Sequence, residues 1–290
     1  MEKIIPKRIL ILGSTGMLGH MLFFCLKKNK KFKVYDLSFR KKLNPESIIC
    51  DIHDISNLEK ILKRIKPEII INSIGILPQD PKFNKINSIF INSLFPQKLK
   101  EISKEFNSKI IQISTDCVFD GKRGKYSEND TPNEPKTYGL TKFLGEIKGS
   151  QHLTIRTSII GPELKKEGKG LLHWIFNENG KIKGYNKAIW GGITTLELSK
   201  VIEYCISYNI SGLYHVTNGE SISKYDLLNL IKREFKLNQI EIIKDSSIIY
   251  DRSLISERSD INYKFSSYDK MISELNLFYS INKDLYSYRF

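Results

Sequence analysis

The feature that most constrains this chain is an apolar run near its start, residues 9–12, that stops at Gly13. Two further glycines follow at intervals of three, Gly16 and Gly19, and the apolar residues after them take helical spacing. This order predicts a buried strand, a tight turn and the start of a helix, with Gly19 allowing close packing. Gly16 would let the backbone approach a pyrophosphate. Because the free N–H groups and the dipole of a helix start favour negative charge, we expect a doubly negative ligand here.

Strands and helices alternate as far as about residue 160. Apolar runs predict strands at 32–37, 68–72, 109–113 and 153–156. Helices are predicted at 55–65, at 86–106 with a break or kink at Pro96, and around Tyr138 and Lys142. This alternation predicts an α/β fold with a Rossmann-type, doubly wound parallel sheet covered on both faces. Ligands of such sheets bind at the carboxyl ends of the strands.

The alternation loosens beyond residue 160. Helices are predicted at 171–177, 195–208 and 225–235, and one short strand at 213–216. The chain shows no clean linker and no internal repeat. We therefore expect a dinucleotide-binding Rossmann domain over residues 1–160 and a small substrate-binding lobe over residues 161–290, interleaved with the last sheet elements.

The net charge of +14 and the isoelectric point near 9.4 come from lysines scattered along the chain. No basic arm and no known nucleic-acid-binding pattern accompanies them, so we expect a solvated surface and no nucleic-acid partner. The four cysteines lie far apart, which indicates neither a disulfide framework nor a metal site. No apolar run approaches the roughly 18 residues that span a bilayer, and no signal peptide is apparent. We expect a cytoplasmic protein without membrane contact.

Tyr138 and Lys142 are four residues apart on a predicted helix and share one of its faces. A lysine ammonium near a phenol would lower the tyrosine pKa towards neutrality, so that the tyrosine could exchange a proton with an oxygen during hydride transfer. Tyr279 and Lys283 have the same spacing, which a chain with 14 tyrosines and many lysines produces by chance. Only the first pair lies within the predicted dinucleotide fold.

A polar cluster, Ser114-Thr115-Asp116, ends the strand that precedes Tyr138. Thr115 or Ser114 would supply the hydroxyl that holds a substrate carbonyl oxygen beside the tyrosine. Ordinary strand-end turn chemistry is the alternative explanation for these hydroxyls.

Four motifs carry a resemblance to a known family: Gly13-x-x-Gly16-x-x-Gly19, Ile113-Ser-Thr-Asp-Cys-Val-Phe-Asp-Gly121, Tyr126-Ser-Glu-Asn-Asp-Thr-Pro132 and Tyr138-Gly-Leu-Thr-Lys142. Together they resemble the extended short-chain dehydrogenase/reductase superfamily. Within it, the chain is similar to the dTDP-4-dehydrorhamnose reductase branch over essentially its full length.

The resemblance implies a catalytic triad of Thr115, Tyr138 and Lys142, with Asp116 beside the substrate. It also implies that the glycine turn holds NAD(P)H, with contacts to the adenine end and to the nicotinamide side from two later strand ends. The cofactor-binding residues that it implies are Gly13, Thr15, Gly16, Met17, Leu18, Gly19, Asp51, Ile52, Ser73, Ile74 and Gly75. A plain helix-entry role is an equal alternative for Asp51.

Two positions depart from the family pattern. Related dehydratases carry a glutamate two residues after the catalytic threonine, where this chain has Cys117, so we do not expect dehydration. The rhamnose enzymes place a tryptophan shortly after the Arg-Thr-Ser at 156–158, where this chain has Ile159. Trp174 or Trp190 could replace that sugar-stacking surface, although a buried core position is the commoner explanation for either.

The choice of cofactor depends on where the second strand ends. Asp36 lies 20 residues after Gly16, a spacing at which a carboxylate usually holds the ribose 2′-OH of NADH. The alternation of apolar residues and lysines extends the strand through Asp36, however. The ribose would then meet the turn at 38–41, where Arg40 would bind a 2′-phosphate. We therefore favour NADPH, with NAD as the alternative.

The resemblance implies NAD(P)H-dependent reduction of a nucleotide-linked 4-keto-6-deoxy sugar for surface polysaccharide synthesis. We expect the region 161–190, with Trp190, Arg252 and Arg258, to close over the substrate and its diphosphate. Surface solvation is an equal alternative for the two arginines. Two alternatives are a nucleotide-sugar epimerase that keeps NAD tightly bound and a non-catalytic regulatory subunit that keeps the fold. A homodimer is the candidate assembly.

Overall fold

A seven-stranded parallel sheet forms the centre of the fold in the computed structural model, which describes residues 5–288. From one edge to the other, its strands are β3 (Ile48–Ile49), β2 (Phe32–Ser38), β1 (Lys7–Leu12), β4 (Ile69–Asn72), β5 (Lys109–Ile113), β6 (Leu153–Arg156) and β11 (Gly212–His215). The order reverses direction at β1, so a crevice opens beside the carboxyl ends of β1 and β4. The predicted Rossmann-type sheet is confirmed.

Helices cover both faces of the sheet. They are α1 (Met17–Leu26), α2 (Ile55–Ile65), α3 (Lys85–Ser88), α4 (Phe95–Ser103), α5 (Thr137–Leu144), α6 (Leu171–Phe176), α7 (Thr195–Ser207), α8 (Lys224–Glu234) and α9 (Tyr268–Ile281). The alternation of side chains along β1 divides the core, because Ile9 and Ile11 pack with α1 and α7 whereas Leu10 and Leu12 pack with α2 and α4. All four side chains are fully buried.

The predicted helix over residues 86–106 is interrupted before Pro96 by a π-helical segment, Ile89–Leu94. Proline offers no N–H to the carbonyl of Asn92, and a π-helix accommodates such a lost bond. Helix α5 packs against this point through Gly145, where a Cβ atom would come within 1.8 Å of the Asn92 carbonyl oxygen. The prediction of a distortion at Pro96 is confirmed, and its form is a π-helix.

Short strands complete the second half of the chain, and the sequence analysis predicts none of them. They are β7 (Ile159–Ile160) with β10 (Ile193–Thr194), β8 (Gly180–Tyr185) with β13 (Ile240–Asp245), and β9 (Ala188–Trp190) between β12 (Ile222–Ser223) and β14 (Tyr250–Asp251). Strand β11, by contrast, belongs to the central sheet through β6. The domain division at residue 160 stays a prediction.

Helix α9 is also missed by the sequence analysis, although its signal is present. Ser267 caps it by accepting a hydrogen bond from the N–H of Lys270, and its buried residues recur at helical spacing. Within residues 5–288, no helix combines the length and the apolar character that crossing a membrane requires. The same residues contain no cluster of three or more His, Cys, Asp and Glu side chains able to hold a metal ion.

Candidate active site

The glycine turn, residues 13–19, joins β1 to α1 at the carboxyl edge of the sheet. Gly13 has a φ of +84°, and its N–H and that of Ser14 both donate to the carbonyl of Leu37 on β2. A Cβ atom on Gly19 would lie 2.1 Å from the Gly13 carbonyl oxygen, so only glycine fits there. The predicted roles of Gly13 and Gly19 are therefore confirmed.

The start of α1 is suited to an anion. No side chain caps the helix at Gly16, and its first turn contains no acidic residue. In contrast, α7 is capped by Thr194 and has Glu197 in its first turn. The Oγ atom of Ser14 is buried without a hydrogen-bond partner among the described residues. Together these features fit a phosphate group at the turn.

The C-terminal segment supports the turn from behind. His20 Nδ1 lies 2.8 Å from the Gly16 carbonyl oxygen, and its Nε2 lies 3.0 Å from the hydroxyl of Tyr286. Burial lowers the pKa of His20 to about 4, so the ring is neutral near pH 7. Nδ1 therefore donates to Gly16, and Nε2 accepts from the tyrosine.

The end of β2 agrees with the strand length that the sequence predicts. Asp36 lies inside the strand, is 3% exposed, and accepts a hydrogen bond from the side chain of Asn44. Arg40 follows in the exposed turn, with its guanidinium 4.9 Å from the ring centre of Phe39. Oδ1 of Asp36 is therefore engaged within the protein, whereas its Oδ2 is buried without a hydrogen-bond partner among the described residues. The cationic turn after it is free to contact a ligand.

The segment that follows β4 also meets the glycine turn. A Cβ atom on Gly13 would lie 3.0 Å from the side chain of Ile74 and 3.2 Å from the hydroxyl of Ser73. Gly75 lies beside the ammonium of Lys142. The predicted nicotinamide-side segment thus links the turn to the catalytic residues.

Asp51 and Ile52 follow β3. The Asp51 carboxylate accepts hydrogen bonds from the N–H and the Nδ1 of His53, whose ring stacks on Phe90 at 4.2 Å. Ile52 is buried. The adenine contact of Asp51 therefore stays a prediction. The stacked ring of His53 is a further feature beside it that was not predicted from the sequence.

Thr115, Tyr138 and Lys142, here called the catalytic corner, come together at the carboxyl end of β5. The Thr115 hydroxyl accepts from the N–H of Cys117 at 3.1 Å, and Thr115 lies close enough to Tyr138 to influence the pKa of its phenol. Lys142 is 6% exposed and donates to the carbonyl of Ile113 at 2.7 Å. Tyr279 and Lys283, the chance pair, do not share a helix, because α9 ends at Ile281.

The electrostatics of the catalytic corner correct one expectation. Burial raises the pKa of Tyr138, with the nearby Cys117 and Asp116 adding to the effect, so the phenol stays protonated. Burial also lowers the pKa of Lys142 to about 8. The expectation that Lys142 brings the tyrosine pKa towards neutrality is wrong for this arrangement, because burial dominates the pKa of the phenol and the ammonium is bonded to a backbone carbonyl.

Comparison with known proteins agrees with this geometry. The RmlD substrate binding domain family matches residues 7–250. A dTDP-4-dehydrorhamnose reductase from Aggregatibacter actinomycetemcomitans is 34% identical over 234 residues, which cover 76% of this chain and 76% of that protein. The chain belongs to the RmlD substrate binding domain family.

Two further proteins are similar to this RmlD-family chain at lower identity. Methionine adenosyltransferase 2 subunit beta from Xenopus tropicalis is 23% identical over 252 residues, covering 80% of this chain and 73% of that protein. The crystal structure of dTDP-4-dehydrorhamnose reductase from Bacillus anthracis, in complex with NADP, has a TM-score of 0.79 at 22% identity and covers 94% of this chain and 99% of that chain. The second likeness shows a shared fold.

A buried ion pair lies beneath the catalytic corner, and the sequence analysis misses it. Arg156 forms a bidentate salt bridge with Glu146, at 2.7 and 2.8 Å, and both side chains are almost fully buried. Ser114 donates to the same carboxylate, so its hydroxyl belongs to this ion pair, whereas the Thr115 hydroxyl donates to Asp116. The charge of Glu146 raises the pKa of Lys142 against the effect of burial. A spacing of four residues between Lys142 and Glu146 is the sequence signal for the interaction between these two side chains.

The predicted substrate residues Asp116 and Trp190 lie on the lobe side of the corner. Asp116 accepts a hydrogen bond from the Thr115 hydroxyl, and burial raises the pKa of its carboxyl. Trp190 is 4% exposed and donates through Nε1 to the hydroxyl of Ser158 at 2.8 Å. Trp190 therefore lies next to the 156–158 segment, but its ring is buried and offers little surface for stacking. Trp174, on α6, is the more exposed tryptophan.

The two arginines predicted to close over the diphosphate are both engaged within the protein. Arg252 donates to the Phe119 carbonyl and to the carboxylate of Glu134, so it braces the loop after Thr115. Arg258 donates to two carbonyls at the amino end of β11 and pairs with Asp260. Because this end of the strand is opposite the active-site edge, the expectation for Arg258 is wrong.

Proposed function

We propose that this RmlD-family chain is an NADPH-dependent reductase of a nucleotide-linked 4-keto-6-deoxy sugar, acting in surface polysaccharide synthesis. The observation that carries the proposal is the grouping of Thr115 and Tyr138 with Lys142, whose ammonium is fixed on the Ile113 carbonyl, at the edge that also bears the glycine turn. The kinship to a dTDP-4-dehydrorhamnose reductase at 34% identity supports the substrate class.

The chain's own residues suit this reaction. NADPH, when bound, supplies a hydride to the carbonyl carbon of the sugar. The uncapped start of α1 holds the pyrophosphate, and Arg40 contacts the 2′-phosphate. Thr115 orients the carbonyl oxygen, and Tyr138, kept neutral by its raised pKa, donates the proton to it. The Lys142 ammonium, close to Gly75, fixes the geometry between the corner and the nicotinamide side.

A panel of nucleotide-linked 4-keto sugars tests the proposal, with NADPH oxidation followed by its absorbance. We expect turnover with at least one dTDP- or similar nucleotide-linked 4-keto-6-deoxy sugar. No turnover with any of them, together with NAD that copurifies with the protein, would favour the epimerase instead.

The similarity to methionine adenosyltransferase 2 subunit beta favours a second candidate, a regulatory subunit that keeps the fold. Such a chain would change the rate of a methionine adenosyltransferase to which it is added. We place this candidate second because Thr115, Tyr138 and Lys142 are all present and lie together at the carboxyl end of β5. A regulatory effect that persists in Tyr138→Phe would support it.

We also propose that the chain forms a homodimer. Exposed leucines on α5, Leu140 and Leu144, lie beside the helical segment that contains the exposed Ile86 and Leu94. A second copy would cover this apolar surface. Light scattering during size-exclusion chromatography distinguishes a dimer of about twice 33.6 kDa from a monomer.

A further inference from the structure

Lys224 is the first residue of α8, and the pairing of two strands of the lobe brings its side chain towards the active site. Strand β12 pairs antiparallel with β9, which places Ile222 opposite Trp190. This pairing brings the Lys224 ammonium to 5.3 Å from the ring centre of Trp190. The sequence analysis gives Lys224 no role, since nothing in its local pattern distinguishes it from the many other lysines.

A chain of contacts connects Lys224 to the catalytic corner. Trp190 is bonded to Ser158, and the neighbouring Thr157 accepts a hydrogen bond from the N–H of Asp116 at 3.2 Å. Burial lowers the pKa of Lys224 to about 8, and the charge of Asp116 opposes this effect. Lys224 and Asp116 are therefore close enough to interact electrostatically, next to the Thr115 hydroxyl.

Lys224 differs from the other cations around the corner in lacking an acceptor. Arg252 is paired with Glu134, and Lys142 is bonded to a backbone carbonyl. Among residues 5–288, Lys224 forms no salt bridge and no side-chain hydrogen bond; its close contact is the face of Trp190. A half-buried ammonium loses hydration, and an acceptor on a bound ligand would restore the missing interaction.

We infer that Lys224 binds the substrate, and that with Asp116 it holds hydroxyl groups of the sugar ring. This inference rests on the proposed function and names the part of the nucleotide sugar that the lobe recognises. A hydroxyl both donates and accepts, so it can satisfy the carboxylate and the ammonium together. The two opposite charges offset each other, which makes the pair better suited to a neutral polyol than to a dianionic diphosphate.

Binding measurements test this assignment without requiring turnover. Calorimetry compares dTDP-rhamnose, dTDP and NADPH as ligands of the wild type, Lys224→Met and Lys224→Arg. Loss of a hydrogen bond to a charged group should raise the Kd of dTDP-rhamnose about tenfold or more in Lys224→Met. The Kd values of dTDP and NADPH should stay within about twofold, and Lys224→Arg should recover part of the loss.

Lys244→Met is the matched control. Lys244 also lies over an aromatic ring, 5.6 Å from the centre of Tyr225, but it is exposed on β13. Its substitution should leave all three Kd values unchanged.

Three outcomes would overturn the inference. An unchanged Kd for dTDP-rhamnose in Lys224→Met would remove the residue from the site while leaving the proposed function intact. An equal loss for dTDP would show that the lysine contacts phosphate and not sugar. A wild type that binds NADPH but neither dTDP ligand would overturn the proposed substrate class, and this inference with it.

Discussion

The glycine turn and the catalytic corner lie at the same edge of the sheet, but they present different groups to it. The turn presents backbone: Gly13 has a positive φ, and α1 begins without a side-chain cap. The corner presents side chains that the protein holds in place, with the Thr115 hydroxyl donating to Asp116 and Lys142 donating to a backbone carbonyl.

This difference separates binding from chemistry. The turn depends on the absence of side-chain volume, so substitutions there should affect folding and cofactor affinity. The corner depends on where protons and charges lie, so substitutions of similar shape should leave binding intact and reduce turnover. Variants in the two regions should therefore differ in whether affinity or turnover falls.

Tyr138→Phe should reduce kcat about 100-fold or more, because the ring remains while the proton donor is lost. The Kd of NADPH, measured by fluorescence titration, should be nearly unchanged. Tyr279→Phe is the control, because the Tyr279 ring packs against the ring of Tyr286. This substitution should leave kcat nearly unchanged. Near-normal turnover of Tyr138→Phe would contradict the assignment of the proton donor.

Gly19→Ala should destabilise the fold by about 3 kcal/mol, because the added Cβ meets the Gly13 carbonyl oxygen at 2.1 Å. Gly16→Ala is the matched variant: its Cβ would lie 3.2 Å from the same oxygen, so the melting temperature should change little. Gly16→Ala should still weaken NADPH binding, since the methyl group occupies the approach of the pyrophosphate. Unaltered NADPH affinity in Gly16→Ala would place the phosphates elsewhere.

The pH dependence of kcat/KM should show a falling limb near pH 8. Lys142 carries its charge below its pKa of about 8 and loses it above that pH, so activity is present at lower pH and declines as pH rises. The raised pKa of Tyr138 keeps the phenol protonated across the same range, so the limb belongs to a lysine. The pKa of Lys224 is also lowered to about 8, and the Lys142→Met variant distinguishes the two lysines. In Lys142→Met the rate should be lower throughout, and this limb should be absent. A limb retained in Lys142→Met would assign it to another group.

Arg40→Ala should lower kcat/KM with NADPH about five- to tenfold and leave that with NADH unchanged, because an exposed contact to a phosphate contributes about 1 kcal/mol. Lys42→Ala is the control, as its ammonium donates to the Pro45 carbonyl. A wild-type preference for NADH, or an NADPH preference that survives Arg40→Ala, would show that the ribose meets a different part of the β2 end.

The sequence by itself determined the elements whose signals are local. The predicted helix at 55–65 and the strands at 109–113 and 153–156 match α2, β5 and β6, because apolar periodicity and adjacent turn residues fix such segments. The positions of Gly13 and Gly19 followed in the same way, since spacing alone dictates where a turn must lack side chains. The short strands of the lobe, two to six residues long, carry too little periodicity to be recognised.

The pKa shifts of buried groups, and the contacts that each charged side chain makes, follow only from the tertiary structure. The raised pKa of Tyr138 comes from desolvation by groups that are distant in sequence, which spacing to Lys142 could not reveal. Arg258 and Lys224 look alike in the sequence as isolated cations. The fold places Arg258 at the amino end of β11 and Lys224 against Trp190, because strand direction and pairing determine which edge of the sheet a side chain can reach.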